Sequence, residues 1–259
     1  MTTPVSDRYK ITYIAPGSST PIELTGTGGV RLLRDGITGL IGGPTVETTA
    51  LSEVPGQAII STTTEAFTGS LTVHITDSTT LDEFLAGFSP INPGQLTLTT
   101  PAGTQLTAYV RLEKPPAAPG FNPTQEKPVQ VSVDVVCDDG VWWTAPTTVG
   151  TLGEAVTKTI ANPGDVHVFP VLTWSTSSST RLPSGAVVSL PAPSTGTRKL
   201  SLSHRAAGVI TDANGVPDWE MSKQVPLVPE GIPPHTSRTL THTGLITYRV
   251  GFWNPWTRP

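Results

Sequence analysis

Cysteine is almost absent from this chain, whose 259 residues include only Cys137. A single thiol excludes an intramolecular disulfide framework and any zinc or iron–sulfur centre that needs several cysteines. Cys137 ends an apolar run, so we expect a buried, inert thiol rather than a reactive one. The first residues, Met1–Asp7, lack the basic and apolar regions of a signal peptide, which predicts a chain that is made and folds in a cytosol.

Charge is also scarce, since Asp, Glu, Lys and Arg make up 14% of the residues against about 25% in typical proteins. The net charge of −4 and the isoelectric point near 5.7 predict no broad basic surface that would hold nucleic acid through its phosphates. No apolar run approaches the ~18–20 residues of a membrane span. Specific nucleic-acid binding and a membrane-spanning helix are therefore not expected.

The chain is rich in turn-forming and β-branched residues. The chain contains 25 glycines and 26 prolines and is rich in threonine, a composition that favours strands joined by turns. A chain of this length and of 27.2 kDa suits one large domain or two of ordinary size, with a core that needs no metal or disulfide. These features predict an all-β protein.

Two stretches interrupt the strand-like pattern. Lys114–Pro128 contains five prolines, which remove backbone donors and hold the chain extended, so we predict a long loop or arm there. Thr144–Gly153 carries Pro146, Gly150 and Gly153. We predict the domain boundary in this second stretch, with an N-terminal domain over 1–146 and a C-terminal domain over 147–259.

The first half alternates apolar and polar residues with the period of a strand. We predict strands over Tyr9–Ile14, Val30–Leu33, Ala58–Thr64, Leu71–Ile75, Gln95–Thr100, Gln105–Glu113 and Val129–Val136. One helix is predicted over Thr80–Phe88, where Thr80 and Glu83 have capping-box spacing. Its apolar side chains recur at helical spacing and should face the sheet: Leu81, Phe84, Leu85 and Phe88.

The second half is predicted to contain strands throughout. They are expected over Ala155–Ile160, Val166–Thr173, Gly185–Ser189, Arg198–His204, Val209–Thr211 and Leu245–Phe252. Asp212–Gly215 has the composition of a turn. Short strands separated by turns predict a β-sandwich.

No catalytic constellation emerges from the residues. The chain has five histidines but no Gly-x-Ser-x-Gly elbow, and Ser203 and His204 would point to opposite faces of their predicted strand. The glycine-rich stretches Thr25–Gly29 and Leu40–Pro44 lack the ending of a phosphate-binding loop and are interpreted as turns. Nothing in the sequence pairs the carboxylates that glycoside hydrolysis would need: Glu65, Asp134 and Glu154.

Metal and glycan sites are alternatives with little support. Asp165 and His167 would share one face of a strand and form either a casual ligand pair or, more commonly, a surface hydrogen bond. Two acidic clusters offer oxygens for calcium, although both look like hairpin turns: Asp134 with Asp138–Gly140, and Asp212 and Asn214 with Asp218. Tryptophans can form sugar-stacking platforms, but core or subunit contacts are the commoner use. We assign no catalytic, metal or cofactor-binding residue.

Several short segments nevertheless match a known pattern. Gly36–Val46 and Glu53–Ile60 resemble the belt region of the distal tail proteins of long-tailed siphophages, also called minor tail or phage tail family proteins. A more specific match runs from Ile160–Asp165 to Pro170–Thr173. It resembles the Asn-x-Gly-Asp…Pro pattern that opens the family's C-terminal galectin-like sandwich.

Further segments extend the resemblance over nearly the whole chain. They are the strand–helix–strand order of Leu71–Ile75, Thr80–Phe88 and Gln105–Leu112, then Leu200–Leu202, Val209–Asp212 and Val250–Trp256. The proline-rich Lys114–Pro128 and Val225–Pro234 depart from the plainest members. The resemblance implies an N-terminal β-sandwich or barrel-like domain that forms a ring and a C-terminal galectin-like β-sandwich.

The resemblance also implies a function. A distal tail protein is a structural, non-enzymatic virion protein that assembles in the host cytoplasm as a hexameric ring at the tail tip or baseplate. Its partners would be the tail tube protein and the tail-tip hub, with the tape-measure protein a further candidate, and it needs no cofactor. The belt residues expected at the subunit interface are Gly39, Leu40, Ile41, Gly42, Pro44, Val54, Pro55 and Gly56.

A second hypothesis is a carbohydrate-binding adhesion module of the tail tip. Among the tryptophans, only Trp219 lies beside charged residues, Asp218 and Glu220, after a predicted turn. It is therefore the candidate glycan contact. Because a fold alone does not establish sugar binding, we predict a mainly structural sandwich with weak or absent glycan binding.

Overall fold

The computed structural model describes residues 9–50, 57–116, 129–226 and 229–257. The chain divides into two compact units, one comprising the chain up to Thr144 together with the residues from Phe252 onward, the other Ala145–Gly251. The sequence-based division assigned everything after residue 146 to the second domain. The chain end returns to the first unit instead, where the Tyr9 hydroxyl donates a hydrogen bond to the Trp256 carbonyl at 3.1 Å. Independent folding of the two domains stays a prediction.

Ten strands and one helix form most of the first unit. The strands are β1 (Lys10–Ile14), β2 (Pro21–Glu23), β3 (Val30–Gly39), β4 (Pro44–Ala50), β5 (Gln57–Thr64), β6 (Phe67–Ile75), β7 (Gly94–Thr99), β8 (Gln105–Leu112), β9 (Val129–Cys137) and β10 (Trp142–Thr144). The main sheet runs β2-β1-β7-β8-β9-β6-β3, with β10 also beside β8, and β4 pairs with β5 in a separate two-stranded sheet. The pairings among these ten strands are antiparallel.

Alternation of side chains builds the core of this unit. Strand β8 buries every second residue, Leu106, Ala108, Val110 and Leu112, and exposes or half-exposes the residues between them. Its neighbour β9 buries Val133 and Val135 in the same way. Alternate residues of a strand point to opposite faces of its sheet, so this pattern shows that one face of the sheet is covered and the other is open to solvent.

The helix α1 (Ser78–Ala86) covers the sheet as predicted, but its cap differs. Asp77, not Thr80, is the N-cap, and its carboxylate accepts a hydrogen bond from the Thr80 amide at 2.8 Å. Asp caps a helix at least as well as Thr, so the start moves to the aspartate. The predicted stripe is buried at Leu81, Phe84 and Phe88, and Phe88 stacks on Tyr13 at 4.3 Å.

The second unit contains two antiparallel sheets. Its elements are β11 (Thr147–Val149), β12 (Ala155–Asn162), β13 (Val171–Trp174), β14 (Ser178–Arg181), β15 (Val187–Leu190), β16 (Arg198–Ser201), a 3-10 turn (His204–Ala206), β17 (Ile210–Asp212), α2 (Trp219–Ser222), β18 (Thr236–Thr243), β19 (Leu245–Tyr248) and, at the passage to the first unit, β20 (Gly251–Phe252), which pairs with β10. One sheet runs β11-β19-β13-β16-β17 and the other β12-β18-β14-β15. Side chains of both sheets line one core: Leu172 of β13 and Leu200 of β16 lie there with Val188 and Leu190 of β15.

The predicted all-β class is confirmed, with α2 as a second, four-residue helix. Several details differ from the sequence prediction. The strands that were not predicted are β2, β4, β10, β11, β14 and β18. The strand expected over Val166–Thr173 is reduced to β13, and His204 lies in a 3-10 turn capped by Ser203 rather than in a strand. A galectin-like character of the second unit stays a prediction, and most of the proline-rich arm lies outside the described residues.

Candidate assembly surface

The hairpin of β4 and β5 pairs with no third strand among the described residues. Every residue of β4 is exposed, and so are six of the eight residues of β5. Besides the backbone pairing, two hydrogen bonds between side chains cross its described part: Thr48 Oγ1 donates to Gln57 Oε1 and Ser61 Oγ donates to Glu47 Oε2, both at 3.0 Å. A two-stranded hairpin alone is only marginally stable in water. Such a ribbon gains stability when further surface covers it.

Apolar side chains on and beside the ribbon are left in solvent. Ile59 is 67% exposed and Ile60 60%, while Ile41 and Val46 are 50% and 44% exposed. The register of the ribbon shifts at this point: Glu47 pairs with Ser61 and Thr48 with Ile59, so Ile60 is an extra, bulged residue. This exposed apolar surface gains from burial, at roughly 25 cal/mol per Å² of apolar area.

The residues that lead into the ribbon have unusual backbone geometry. Gly39 and Leu40 both have positive φ, 67° and 59°, a region that glycine enters freely and leucine rarely. Leu40 is held there by two hydrogen bonds: its amide donates to the Thr68 carbonyl at 2.9 Å, and its carbonyl accepts from Trp142 Nε1 at 2.9 Å. The chain therefore turns sharply at a well-supported position.

The backbone just before the ribbon also lies close to two other segments of its unit. The Gly42 amide donates to the Trp253 carbonyl at 2.9 Å, and a Cβ at Gly42 would collide with the Gly140 carbonyl oxygen. Trp253 Nε1 in turn donates to Thr64 Oγ1 at 3.4 Å, at the far end of β5. Because Pro44 pairs with Thr64, both contacts lie at the base of the ribbon and attach it to the C-terminal residues, which explains why the chain end belongs to this unit.

The predicted interface residues divide into exposed and internal positions. Ile41 and Pro44 are exposed, whereas Gly39 and Gly42 are fixed by backbone contacts of the same unit. Leu40 is 1% exposed, so its side chain packs inside its own unit and is not available to a neighbour, which corrects that assignment. Three residues lie outside the described residues: Val54, Pro55 and Gly56. The interface as a whole stays a prediction.

No family model matches the chain, and no curated protein matches its sequence. Solved structures do match it. The crystal structure of the SPP1 Dit (gp 19.1) protein superposes with a TM-score of 0.58 and 15% identity over 93% of this chain and 99% of that one. Two chains from the phage p2 baseplate in its activated conformation also match: one with Sr (TM-score 0.50, 9% identity, 91% and 98% coverage) and one with Ca (0.51, 10%, 94% and 98%). The chain has the fold of a phage Dit protein.

The likeness to Dit covers both units, in agreement with the siphophage resemblance. The SPP1 protein is described as a paradigm of the hub adsorption apparatus in phages that infect Gram-positive bacteria. The expected fold class of the family is thereby confirmed. Sequence reasoning placed Ile59 and Ile60 in the belt segment but did not include these two exposed residues among the expected interface residues. It also missed Trp142 as the residue that supports Leu40.

The candidate glycan contact Trp219 lies in the second unit of this Dit fold. It is 61% exposed, whereas Trp142 and Trp174 are buried in the cores of their units, each with its Nε1 hydrogen-bonded to a carbonyl. A flat aromatic ring in solvent is one requirement of a sugar platform. The polar groups around such a ring decide what it can bind.

The acidic residues considered for calcium are engaged with cations or backbone amides. Asp138 accepts two hydrogen bonds from Arg111 at 2.7 and 2.8 Å, which lower the pKa of its carboxyl group. Lys114 lies 2.9 Å from Asp134. The Asp165 carboxylate lies 3.9 Å from His235 Nε2. Within the described ranges no three His, Cys, Asp or Glu side chains are arranged to hold a metal ion.

Cys137 is buried as predicted, and burial is the main cause that raises the pKa of its thiol. The thiolate that reactivity would need is therefore disfavoured.

Both helices in the described part of the chain are too short or too polar to cross a bilayer.

Proposed function

We propose that the chain is a structural virion protein that forms a ring at the distal end of a phage tail and joins the tail tube to the tail-tip hub. The observation that carries this proposal is the Dit fold, which spans 93% of the chain and 99% of the SPP1 protein. The partners are the tail tube protein and the hub protein, with the tape-measure protein as a further candidate. The ring assembles in the host cytoplasm and stays in the virion.

The β4–β5 ribbon supports the ring. A hexamer closed by head-to-tail contacts needs one surface on each subunit that meets a different surface on the next. The ribbon offers exposed Ile59 and Ile60, which a neighbour would cover. Specific interfaces bury more than about 1,000 Å² in total, and we expect the ribbon to contribute a large share of that area.

Low charge suits the same role. Charged residues are depleted in interface cores, and the chain carries few of them. The mildly acidic balance also suits a ring through which DNA passes, because a basic lining would bind the phosphates. No residue constellation favours an enzyme, and the matched proteins belong to hub and baseplate structures, which favours the structural role over the carbohydrate-binding adhesin.

The mass of the full-length protein tests the ring. We expect an assembly near six times the 27.2 kDa of one chain, alone or after mixing with the tail tube and hub proteins. The double variant Ile59→Asp/Ile60→Asp should remain monomeric, because it introduces charge where a neighbour packs. Val187→Asp is the matched control, since Val187 is 60% exposed in the second unit and should not affect assembly.

Light scattering during size-exclusion chromatography gives the mass, and electron microscopy gives the shape. Gold-labelled antibody against the chain should decorate the tail tip of the virion. A protein that stays monomeric with and without its neighbours, or a label found away from the tail tip, contradicts the proposed function.

A further inference from the structure

The residues that follow the asparagines set one asparagine apart from the others. The chain has five asparagines, and glycine follows Asn214 while proline follows the other four: Asn92, Asn122, Asn162 and Asn254. An asparagine side chain can react with the backbone only through the amide nitrogen of the next residue. Proline has no N–H, so its nitrogen cannot lose a proton and attack. Asn214 is thus the one asparagine of this sequence that precedes a reactive amide, and that amide belongs to a residue without a side chain.

Asn214 and Gly215 are both exposed, in the turn between β17 and α2. A Cβ built on Gly215 would meet no atom within 4 Å, so no neighbouring group blocks the approach to its backbone. In the described part of the chain the Asn214 side-chain amide forms no hydrogen bond, although its backbone amide donates to Asp212 Oδ1 at 2.8 Å. The side chain can therefore rotate towards the Gly215 nitrogen.

The hydrogen bonds of this turn are weakest at the reacting amide. The Asp212 amide donates to the Val216 carbonyl at 2.9 Å, and the Val216 amide donates to Asp212 Oδ1 at 2.8 Å. The Gly215 amide makes a longer bond, 3.2 Å to the Asp212 carbonyl, and it lies in solvent. Breaking that one bond releases the N–H that the reaction needs while the ends of the turn stay paired.

Glycine also follows two aspartates, Asp35 and Asp139, but the backbone at those positions is enclosed. In both pairs a Cβ on the glycine would collide with a backbone carbonyl oxygen of another segment. A carboxylate is also a poorer electrophile than a neutral amide, because its negative charge repels the lone pair of the attacking nitrogen. Chemistry and packing therefore both distinguish Asn214–Gly215 from these two pairs.

We propose that Asn214–Gly215 is a site of spontaneous deamidation, with water as the co-reactant. The Gly215 nitrogen loses its proton to solvent and forms a bond to Asn214 Cγ. The bond between Cγ and Nδ2 then breaks, the nitrogen takes up a proton and leaves as ammonia, and a five-membered succinimide ring remains. Water adds to either ring carbonyl and reopens the ring, which gives aspartate or isoaspartate. No oxidation or reduction takes place.

The modification changes both the charge and the backbone of the turn. Either product adds one carboxylate to the subunit, next to Ala213, whose carbonyl accepts a hydrogen bond from Lys199 Nζ at 3.0 Å. Isoaspartate also places an additional methylene group in the main chain. Asp212 then cannot keep its bonds to the amides of residues 214 and 216 in their present geometry. We expect this turn to open while the pairing of β16 with β17 persists.

Peptide mass spectrometry of the full-length chain tests the site. The purified protein is kept for several weeks in mildly alkaline buffer, which favours loss of the amide proton, and is then digested with trypsin. In the peptide Ala206–Lys223 we expect the mass change for replacement of the amide group by a hydroxyl, and methylation by an isoaspartyl methyltransferase. A sample digested at the start measures conversion caused by the digestion itself.

Two controls test the route through the succinimide. Asn92 is also exposed but precedes Pro93, so the peptide that contains it should stay unchanged. Asn214→Gln should reduce conversion of Ala206–Lys223 at least tenfold, because glutamine would have to close a six-membered ring. In the isoaspartate form the Val216 amide should exchange its hydrogen at least tenfold faster than in the unmodified chain.

Three outcomes would overturn the inference, and none of them bears on the proposed function. Conversion of the excised peptide Ala206–Lys223 but not of the folded chain would show that the turn protects Asn214. Conversion of Asn92 at the same rate would exclude the succinimide route, because proline cannot form that ring. An absence of conversion in both the folded chain and the excised peptide would exclude the reaction itself.

Discussion

Trp142 Nε1 donates a hydrogen bond at 2.9 Å to the carbonyl of Leu40, a residue 102 positions earlier in the chain. Leu40 has a φ of 59° and is 1% exposed. The indole therefore supports a backbone turn that leucine does not favour, at the point where the chain leaves the core for the β4–β5 ribbon. The tryptophan that supports this turn is itself buried in the core of the first unit.

The variant Trp142→Phe tests this dependence. It keeps an aromatic ring, which stacks with Phe67 at 6.0 Å, but leaves the Leu40 carbonyl without its indole donor. We expect the free energy of unfolding to fall by about 1–3 kcal/mol, the cost of an unsatisfied buried group. Urea denaturation measures the change. Trp219→Phe, at an exposed position, is the control and should lie within about 0.5 kcal/mol of the natural protein; equal stability of the two variants would refute the role of Trp142.

Two adjacent glycines provide a matched test of the close approach at the ribbon. A Cβ at Gly42 would collide with the Gly140 carbonyl, whereas a Cβ at Gly43 would meet no atom within 4 Å. We therefore expect Gly42→Ala to destabilise the chain by about 1–3 kcal/mol, the usual cost of overpacking, and to weaken ring assembly. Gly43→Ala should leave both properties unchanged. Thermal unfolding and light scattering compare the pair, and similar behaviour of the two variants would exclude this contact as a constraint.

Helix α1 is predicted to hold its sheet through Phe84. The ring is 1% exposed and lies edge-on to Phe88, with centroids 5.1 Å apart. Phe84→Ala should lower the free energy of unfolding by roughly 3–5 kcal/mol, as for other buried phenylalanines. Ile91→Ala, at a residue that is 80% exposed, should change it by less than about 0.5 kcal/mol. A loss below about 1 kcal/mol for Phe84→Ala would mean that the helix does not depend on this ring.

Local periodicity explains how much of the fold could be predicted. The alternation in β8 and β9 and the helical stripe of α1 are visible in the sequence because they repeat every two or about four residues. Strand β18 was missed because Thr236–Thr243 contains mostly hydroxyl residues and a histidine. Its pairing with β12 over eight residues, with hydrogen bonds between Thr157 and Thr241 and between Thr159 and Thr239, compensates for the weak pattern.

Long-range contacts explain what could not be predicted at the candidate site. The belt was located from its sequence, but its attachment depends on Trp142 and Trp253, which follow it by about one hundred and two hundred residues. Nothing local in the sequence indicates that Leu40 adopts positive φ or that the chain end returns to the first unit. Such features arise when segments far apart in the sequence come into contact. In the sequence alone, the glycines and tryptophans that make these contacts show no local pattern that identifies their partners.

A buried histidine makes the second unit sensitive to acid. His242 has no exposed surface, and its Nε2 lies 3.2 Å from the Thr173 carbonyl while its Nδ1 lies 2.8 Å from Thr180 Oγ1. A carbonyl can only accept, so Nε2 carries the proton and the neutral ring accepts from Thr180 through Nδ1. Because His242 is in β18 and Thr173 in β13, the ring links the two sheets.

Burial lowers the pKa of His242 below its ordinary 6.5, with the Thr173 carbonyl opposing part of that effect. At pH values between the lowered pKa of the folded chain and the ordinary pKa of 6.5 in the unfolded chain, the unfolded chain binds the proton more readily. The contribution of His242 to the free energy of unfolding is therefore fully present above pH 6.5. It falls as the pH drops towards the pKa of the folded chain. Urea denaturation from pH 8 to pH 5 should show this loss, and His242→Gln should remove it while lowering stability at every pH. His167→Gln, at an exposed residue, should keep the loss; an unchanged pH dependence in His242→Gln would show that another group is responsible.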